Sequence, residues 1–169
     1  LTGEGVTTNI DAKGNTAKKN MAVVGNKIFF AASNAASGEE LWITDGTVTG
    51  TKMVKDINPG SDGSNPSYLC AVGGKVYFSA TTPDYGAELW VSDGTDAGTM
   101  LAADIYVGSE GSAPMNLTAM GADKSLVVFA AQDENSTLDN KSYLYLFDSN
   151  KDQLKLLGKD QPLLSGDSY

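Results

Sequence analysis

A 14-residue segment occurs twice in the chain at a spacing of 48 residues, and this repeat restricts the possible folds more than any other feature. The segment "GEELWITDGTVTGT" returns as "GAELWVSDGTDAGT", with Trp42 and Trp90 at the same place in each copy. The same register continues on both sides, and the matched pairs include Gly25 and Gly73, Phe30 and Phe78, Asp56 and Asp104, and Pro66 and Pro114. Repeats of this length are typical of proteins built from stacked supersecondary units.

A third, eroded copy follows the two clear ones. "SLVVFAA" places Phe129 at the position of Phe78, and "YLYLFDSN" places Tyr145 and Asp148 at the positions of Trp and Asp. This copy lacks the Gly-Thr after Asp148 and the second Gly-Thr. The repeats therefore predict three units, at residues 18–57, 58–105 and 106–158.

Each unit divides into four short strands separated by turn residues. In the middle unit the strands are "PSYLCAV", "KVYFSA", "AELWVSD" and "TMLAADI", in the order A to D. Val76, Phe78 and Ala80 alternate along strand B, as burial of one face of a strand requires. We therefore predict an all-β fold with almost no helix, made of β-propeller-type blades of four antiparallel strands. A blade cannot bury both faces alone, so we expect Phe30, Phe78, Phe129 and the two tryptophans to pack between blades.

The turn between strands C and D carries the most regular sequence of the repeat. Asp45-Gly46-Thr and Asp93-Gly94-Thr each join two apolar strands. In such a turn the aspartate accepts backbone N–H bonds and the glycine takes a positive φ. We therefore interpret Asp45, Gly46, Asp93 and Gly94, together with Trp42 and Trp90, as structural residues of the repeat.

These segments carry a resemblance to a known family. "ELWITDGTVTGT" and "ELWVSDGTDAGT" resemble the ELWxxDGT repeat of large secreted or surface-attached bacterial proteins; the likeness is close over about residues 20–117 and extends to 118–158 only by pattern. It implies a β-propeller-like, extracellular or cell-surface repeat array without an established common activity. The expected function is thus a non-enzymatic binding or adhesion scaffold that acts through its variable loops.

Composition excludes several kinds of site. The formal net charge of −9 argues against a nucleic-acid partner, and no apolar run approaches the roughly 18 residues of a membrane span. The chain has no histidine and no arginine, so a Ser-His-Asp triad, a histidine metal site and an arginine clamp cannot be built from this chain alone. Cys70 is the only cysteine and reads as a buried strand residue.

A second interpretation treats the chain as a fragment of a propeller glycoside hydrolase or a glycan-binding domain. The Asp-Gly-Thr turns resemble the Asp-box hairpins of sialidase-type propellers, and carboxylates are available at Glu40, Glu88, Asp56 and Asp104. Sialidase-like sites are associated with arginines, which this chain lacks. The carboxylates also recur in each copy, whereas a catalytic pair is normally unique in a domain. The prediction is therefore that the chain is not an enzyme and has no catalytic residues.

The loop "DINPGSDGSNP" is a weak calcium candidate through Asp56, Asn58 and Asp62. Calcium loops use such residues, but Gly60 and Ser61 do not fit the EF-hand order and no distal glutamate follows. A polar crossover between blades explains the same composition. We therefore expect no cofactor, with calcium as the alternative.

Ligand contacts are expected where the copies differ most. In propellers the B to C and D to A loops share one face, and the B to C loop changes from "SNAASGE" to "TTPDYGA" to "QDENSTLDNKSY". This predicts a ligand-binding face, for a glycan or a protein, lined by Tyr85, Tyr106, Asp133, Glu134 and Asp139.

Three blades fall short of the four to eight that close a propeller ring. Residues 1–17 contain "VTTNID", which is a candidate outer strand of a preceding blade, and residues 159–169 resemble a crossover to a further blade. We therefore expect the ring to be completed by further blades of a longer chain or by a second copy.

Overall fold

All regular structure in the described part of the chain is β-strand. The computed structural model describes residues 20–134 and 142–157, and these residues form twelve strands and no helix. The strands are β1 Met21–Val24, β2 Lys27–Asn34, β3 Gly38–Thr44, β4 Lys52–Lys55, β5 Ser67–Val72, β6 Lys75–Thr82, β7 Gly86–Ser92, β8 Met100–Ala103, β9 Met115–Met120, β10 Leu126–Ala131, β11 Tyr143–Asp148 and β12 Gln153–Leu157.

The strands form three separate four-stranded antiparallel sheets, and none of them closes into a barrel. Their orders are β1-β2-β3-β4, β5-β6-β7-β8 and β9-β10-β11-β12, so every strand pairs with its neighbour in sequence. We call these sheets blades 1, 2 and 3. The all-β prediction, with four antiparallel strands in each of three blades, is confirmed.

Glycine allows the tight hairpins between the first two strands of blades 1 and 2. Gly25 has a φ of 60°, and Gly73 and Gly74 have φ values of 57° and 79°. Residues other than glycine rarely adopt these positive φ values, so the two-residue turns predicted from Gly-Asn and Gly-Gly depend on glycine.

Neighbouring blades pack face to face through two apolar clusters. In the first junction, Phe29, Leu41 and Ile43 of blade 1 pack in one cluster with Phe78 and Trp90 of blade 2. In the second junction, the opposite face of blade 2 meets blade 3 through a cluster that includes Tyr77, Leu89, Phe129, Tyr145 and the buried Cys70. Blade 2 therefore packs one face on blade 1 and the other face on blade 3.

The repeated aromatic residues are not equally buried. Phe78 and Phe129 are enclosed at the two junctions, and Trp90 is buried against blade 1. Trp42 is only half-buried, because it lies on the face of blade 1 that no other blade in the described residues covers. The predicted packing between blades thus holds for Phe78, Phe129 and Trp90. It is wrong for Phe30 and Trp42, because these two paired residues lie on the outer face of blade 1, and Phe29 takes part in the junction instead.

The innermost strands converge on one side of the molecule. β5 lies against β1 on one side and against β9 on the other. Residues of all three strands, including Ala22, Ala71, Leu117 and Ala119, line an open cleft of about 520 Å³. The three blades thus fan out from a common centre, as propeller blades do. The predicted segments 1–17 and 159–169 lie outside the described residues.

Candidate binding face

A buried glutamate fastens each crossover loop to the blade that precedes it. Glu88 in β7 accepts hydrogen bonds from the backbone N–H of Ile105 (3.1 Å), Tyr106 (2.9 Å) and Ser112 (2.9 Å), and from Ser112 Oγ (2.6 Å). Glu40 in β3 accepts the equivalent bonds from Asn58 N (3.1 Å), Ser64 N (2.9 Å) and Ser64 Oγ (2.5 Å). In blades 1 and 2, one carboxylate therefore shapes the loop that leads to the next blade.

These glutamates are closed off from solvent. Both side chains are fully buried, and the desolvation raises the pKa of Glu40 and Glu88, while the hydrogen bonds from Ser64 and Ser112 offset part of that increase. A carboxylate that is buried and occupied by loop donors cannot reach a ligand at the surface. Glu40 and Glu88, two of the four carboxylates available to the hydrolase interpretation, are thus engaged by the crossover loops.

Two glycines bring the B to C loop into close backbone contact with the crossover. A β-carbon on Gly86 would lie 2.6 Å from the backbone nitrogen of Gly111, and one on Gly38 would lie 2.5 Å from that of Gly63. All four glycines also have φ between 63° and 75°. No side chain fits there, so glycine is required on both loops.

The crossover loops also bind the following blade. Ser64 O accepts a hydrogen bond from Thr81 N (2.8 Å), and Ser112 O accepts one from Gln132 N (2.7 Å). Each crossover is therefore held by the blade before it and the blade after it. In blades 1 and 2, the B to C loop and the D to A crossover lie together at one end of the blade.

Two of the predicted ligand residues, Tyr85 and Tyr106, belong to the loop pair of blade 2. Tyr85 precedes Gly86, and 38% of its surface is exposed. Tyr106 is half-buried, and its backbone N–H donates to Glu88. The structure thus brings both tyrosines to the same pair of fastened loops.

The predicted acidic residues of the third loop do not share one environment. Asp133 is buried rather than exposed, and its Oδ2 accepts a hydrogen bond from the hydroxyl of Tyr145 (3.1 Å). Desolvation and this bond raise the pKa of Tyr145. Glu134 is exposed. Asp139 lies outside the described residues. The prediction that Asp133 lines an open face is therefore wrong, because Asp133 serves a buried hydrogen bond inside blade 3.

The pair Asp133 and Tyr145 takes the place of a different pair in blade 2. The strand pairings of the two blades show that Thr82 and Trp90 are the equivalent residues of blade 2. Thr82 Oγ1 and Trp90 Nε1 are both buried without a hydrogen-bond partner in the described residues. Replacement of Trp by Tyr in blade 3 thus accompanies replacement of Thr by Asp. The two changes together supply a donor and an acceptor that bond to each other.

The calcium candidates do not form a ligand cluster. Asn58 Nδ2 donates to Gly63 O (2.8 Å), so its amide group closes the loop on itself. Asp62 is exposed, and Asp56 Oδ1 is buried without a hydrogen-bond partner among the described residues. Within 20–134 and 142–157, no group of three or more Asp, Glu, Cys or His residues is placed to hold a metal ion.

The Asp-Gly-Thr turns at the opposite end of the blades are closed hydrogen-bond networks. Asp93 Oδ1 accepts from Thr95 N (2.9 Å) and Thr95 Oγ1 (2.7 Å), and Thr95 Oγ1 accepts from Gly98 N (2.9 Å). The turn of blade 1 repeats each bond through Asp45, Thr47 and Gly50. The pKa of Asp45 and of Asp93 is lowered, mainly because each carboxylate accepts a hydrogen bond from the threonine hydroxyl of its turn. Since the donors are all internal, the geometry agrees with a structural role for this turn.

Sequence reasoning missed the serine partners of the buried glutamates. Ser64 and Ser112 are fully buried and donate through both the backbone and the side chain. Both lie at equivalent positions of the repeat, so a signal was present in the sequence. A serine in a Gly- and Ser-rich loop looks like a solvated residue until its distance to a buried carboxylate is known.

Comparison with known proteins adds no assignment. The part of the chain that is described contains no helix of the length and apolarity needed to cross a membrane. No model of a known protein family matches the sequence, and no curated protein matches it either.

Proposed function

We propose that this chain is a non-enzymatic repeat module of an extracellular or cell-surface protein that binds a ligand through the face formed by its B to C and D to A loops. One observation carries the proposal. The buried groups that hold these loops, Glu40 with Ser64 and Glu88 with Ser112, are the same in blades 1 and 2, while the residues that the loops expose differ between blades. A constant support with variable exposed residues is the arrangement of a binding scaffold.

The charge and the aromatic groups of this face favour a neutral ligand. Asp84, Glu110 and Glu134 are exposed on these loops, and the chain has a net charge of −9 without arginine. Acidic sugars and phosphate groups would be repelled. An exposed tyrosine such as Tyr85 offers a flat apolar ring with a polar tip, which suits stacking on a neutral sugar. The proposed ligand class is therefore a neutral glycan, with a protein surface as the other outcome of a binding screen.

The proposed location follows from the resemblance of "ELWITDGTVTGT" and "ELWVSDGTDAGT" to the ELWxxDGT repeats of secreted and surface-attached bacterial proteins. The hydrogen bonds within the C to D turns explain why Asp, Gly and Thr recur in these turns without a ligand. They therefore support a ligand site at the opposite end of the blades.

The test is a screen of the full chain against immobilised neutral oligosaccharides and, in parallel, acidic ones. We expect binding to neutral glycans that Tyr85→Ala weakens about tenfold or more, as loss of a stacking ring would cause. Met100→Ala is the matched control, since Met100 is a half-exposed apolar residue on β8, outside these loops. Binding that Tyr85→Ala and Tyr106→Ala leave unchanged would contradict the placement of the site.

Glycoside turnover is the measurement that tests the enzymatic interpretation. Glycoside turnover by the full chain that Glu88→Gln abolishes, while a folded-state spectrum is retained, would contradict the proposal. Turnover measurements on the same oligosaccharides therefore accompany the binding screen.

A further inference from the structure

Within residues 20–134 and 142–157, two apolar faces at the ends of the row of blades are covered by no other blade. We call the outer face of blade 1 the first face; it carries Val23, Ile28, Phe30 and Trp42. We call the outer face of blade 3 the last face; it carries Met120, Val128, Leu144 and Leu146. Both include large apolar side chains that are exposed, among them Ile28 and Leu144.

The same positions are buried wherever a blade does cover them. Ile28 is 39% exposed, whereas its counterpart Val76, which blade 1 covers, is 0% exposed. Leu144 is 48% exposed, whereas its counterpart Leu89, which blade 3 covers, is 0% exposed. The two outer faces are therefore of the same kind as the two faces that meet at each internal junction.

The two outer faces are also complementary in type. At both internal junctions, the face of one blade that corresponds to the last face packs on the face of the next blade that corresponds to the first face. We propose that two copies of this chain join head to tail, with the last face of each copy on the first face of the other, to close a six-bladed ring. The twofold axis then coincides with the centre on which the innermost strands β1, β5 and β9 converge.

The first internal junction shows what the C to D turn of blade 1 would contact. A β-carbon on Gly94 would lie 2.7 Å from Ile43 Cδ1 and 3.2 Å from Phe29 Cζ, so the turn of blade 2 rests directly on blade 1. Gly46, with an almost identical φ, has nothing within 4 Å of that position. Leu146 and Val128 of the last face are the counterparts of Ile43 and Phe29, so the last face offers Gly46 the same apolar contact.

The charges at the edge of the junction favour a second copy as the occupant. At the first internal junction, Lys55 Nζ of blade 1 lies 3.4 Å from Asp96 Oδ1 in the turn of blade 2. In the turn of blade 1, Val48 occupies the position equivalent to Asp96, and it is 84% exposed. On the last face, Leu157 pairs with Leu144 as Lys55 pairs with Leu41. The ion pair of the first internal junction is thus replaced, at the outer faces, by the two apolar residues Val48 and Leu157.

Ring size and symmetry agree with this assignment. Closed propellers have four to eight blades, so three are too few and six are sufficient. A head-to-tail contact closes into a ring only if the rotation at each junction fits, and otherwise produces open filaments. For two equal halves related by a twofold axis, closure requires the two outer junctions to repeat the rotation of the internal ones.

The first measurement is the mass of the full chain in solution by light scattering over a range of concentrations. We expect a particle of twice the mass of the chain, which dissociates on dilution without unfolding. A monomer at all concentrations, or assemblies larger than a dimer, would overturn the proposal.

Exchange of charges tests the contact itself. Val48→Asp and Leu157→Lys should each weaken the dimer about tenfold or more, because each places an unpaired charge at both junctions. Mixed together, the two variants should form a heterodimer that native mass spectrometry detects, since one junction then pairs a carboxylate with an ammonium group and the other keeps Val48 against Leu157. Val107→Asp is the control, because Val107 is a highly exposed valine on a crossover loop and on neither outer face.

The pattern of results distinguishes the possible contacts. A dimer weakened by only one of the two substitutions would indicate a contact between like faces and would overturn the proposal. A dimer that neither substitution affects would do the same. Circular dichroism of each variant verifies that the blades remain folded.

Discussion

At the scale of single residues, the two buried glutamates organise the loops of this protein. A carboxylate is the one side chain with enough acceptor capacity to bind three backbone N–H groups and a hydroxyl at once, as Glu88 does. The bonds join the third strand of a blade to the crossover that follows, so the path of the chain between blades depends on one residue. Charge-assisted bonds of this kind are stronger than bonds between neutral groups.

Glu88→Gln should therefore lower the free energy of unfolding by about 1–3 kcal/mol, because one carboxylate oxygen becomes a donor that faces Ile105 N or Ser112 Oγ. Urea denaturation measures this loss. Glu110→Gln removes the same charge from an exposed position on the same crossover and should change the stability by less than about 0.5 kcal/mol. Equal effects of the two substitutions would show that net charge, rather than the buried bonds, determines the stability.

At the scale of elements, the C to D turns are small units that fold on their own hydrogen bonds. Asp93 receives two bonds from Thr95, and the same threonine hydroxyl binds Gly98 N. A β-carbon on Gly98 would overlap the Asp93 carboxylate, which explains the glycine of the second Gly-Thr. Blade 3 lacks both Gly-Thr pairs, and its turn uses Asp148 with Lys151 instead (2.7 Å).

The stability that the Asp93 carboxylate contributes should decrease as the pH falls. The hydrogen bonds from Thr95 hold the pKa of Asp93 below its ordinary value of 3.8, so the ionised carboxylate stabilises the folded state. This contribution is complete above pH 3.8 and disappears as the pH falls through the lower pKa of the folded state. Asp93→Asn should therefore melt below the wild type at neutral pH, and the difference should shrink in strong acid. Asp84→Asn, in an exposed loop, serves as the control in melts followed by circular dichroism. A difference that is independent of pH would contradict this account.

At the scale of the whole molecule, the blades share their cores across junctions, so the exposure of a repeated residue depends on which blade precedes its own. Trp90 is buried against blade 1, whereas Trp42 occupies the same position on the uncovered first face. The protein has only these two tryptophans, which makes their fluorescence a direct report on the two environments.

The Trp90→Phe variant should show emission from Trp42 that shifts to the blue as concentration rises and copies associate. In the Trp42→Phe variant, emission from Trp90 should stay constant, because the first internal junction is complete within one chain. Acrylamide quenching at low concentration should likewise be stronger for Trp42. Emission from Trp42 that does not change with concentration, in a sample shown to dimerise, would place the contact elsewhere.

The regularity of the repeat made the architecture predictable. Alternation along "KVYFSA", glycine in the hairpins and the 48-residue spacing identify four strands per unit, since strand geometry and turn chemistry are local properties. Glu40 and Glu88 were also recognisable as structural, because they recur with the repeat. Their partners Ser64 and Ser112 lie 24 residues further on in each case, and only the return of the crossover brings them together.

The candidate site was predictable only in part. Tyr85 and Tyr106 lie on the loop pair that the order of the strands indicates. Asp133 looked equally suited, yet it is buried beside Tyr145, because the substitution of Trp by Tyr in blade 3 brings a hydroxyl that needs an acceptor. Such a pairing spans two strands and cannot be inferred from the loop sequence alone.

The sequence by itself determined the strands, the turns and the number of blades, because each depends on residues that are close along the chain. The tertiary structure decided which faces are covered, where the buried carboxylates find their donors and which loop residues stay exposed. Trp42 and Trp90 lie in nearly identical segments and still differ in burial. The physical reason is that burial is a property of contacts between blades, and a blade's own sequence does not specify whether its outer face has a neighbour.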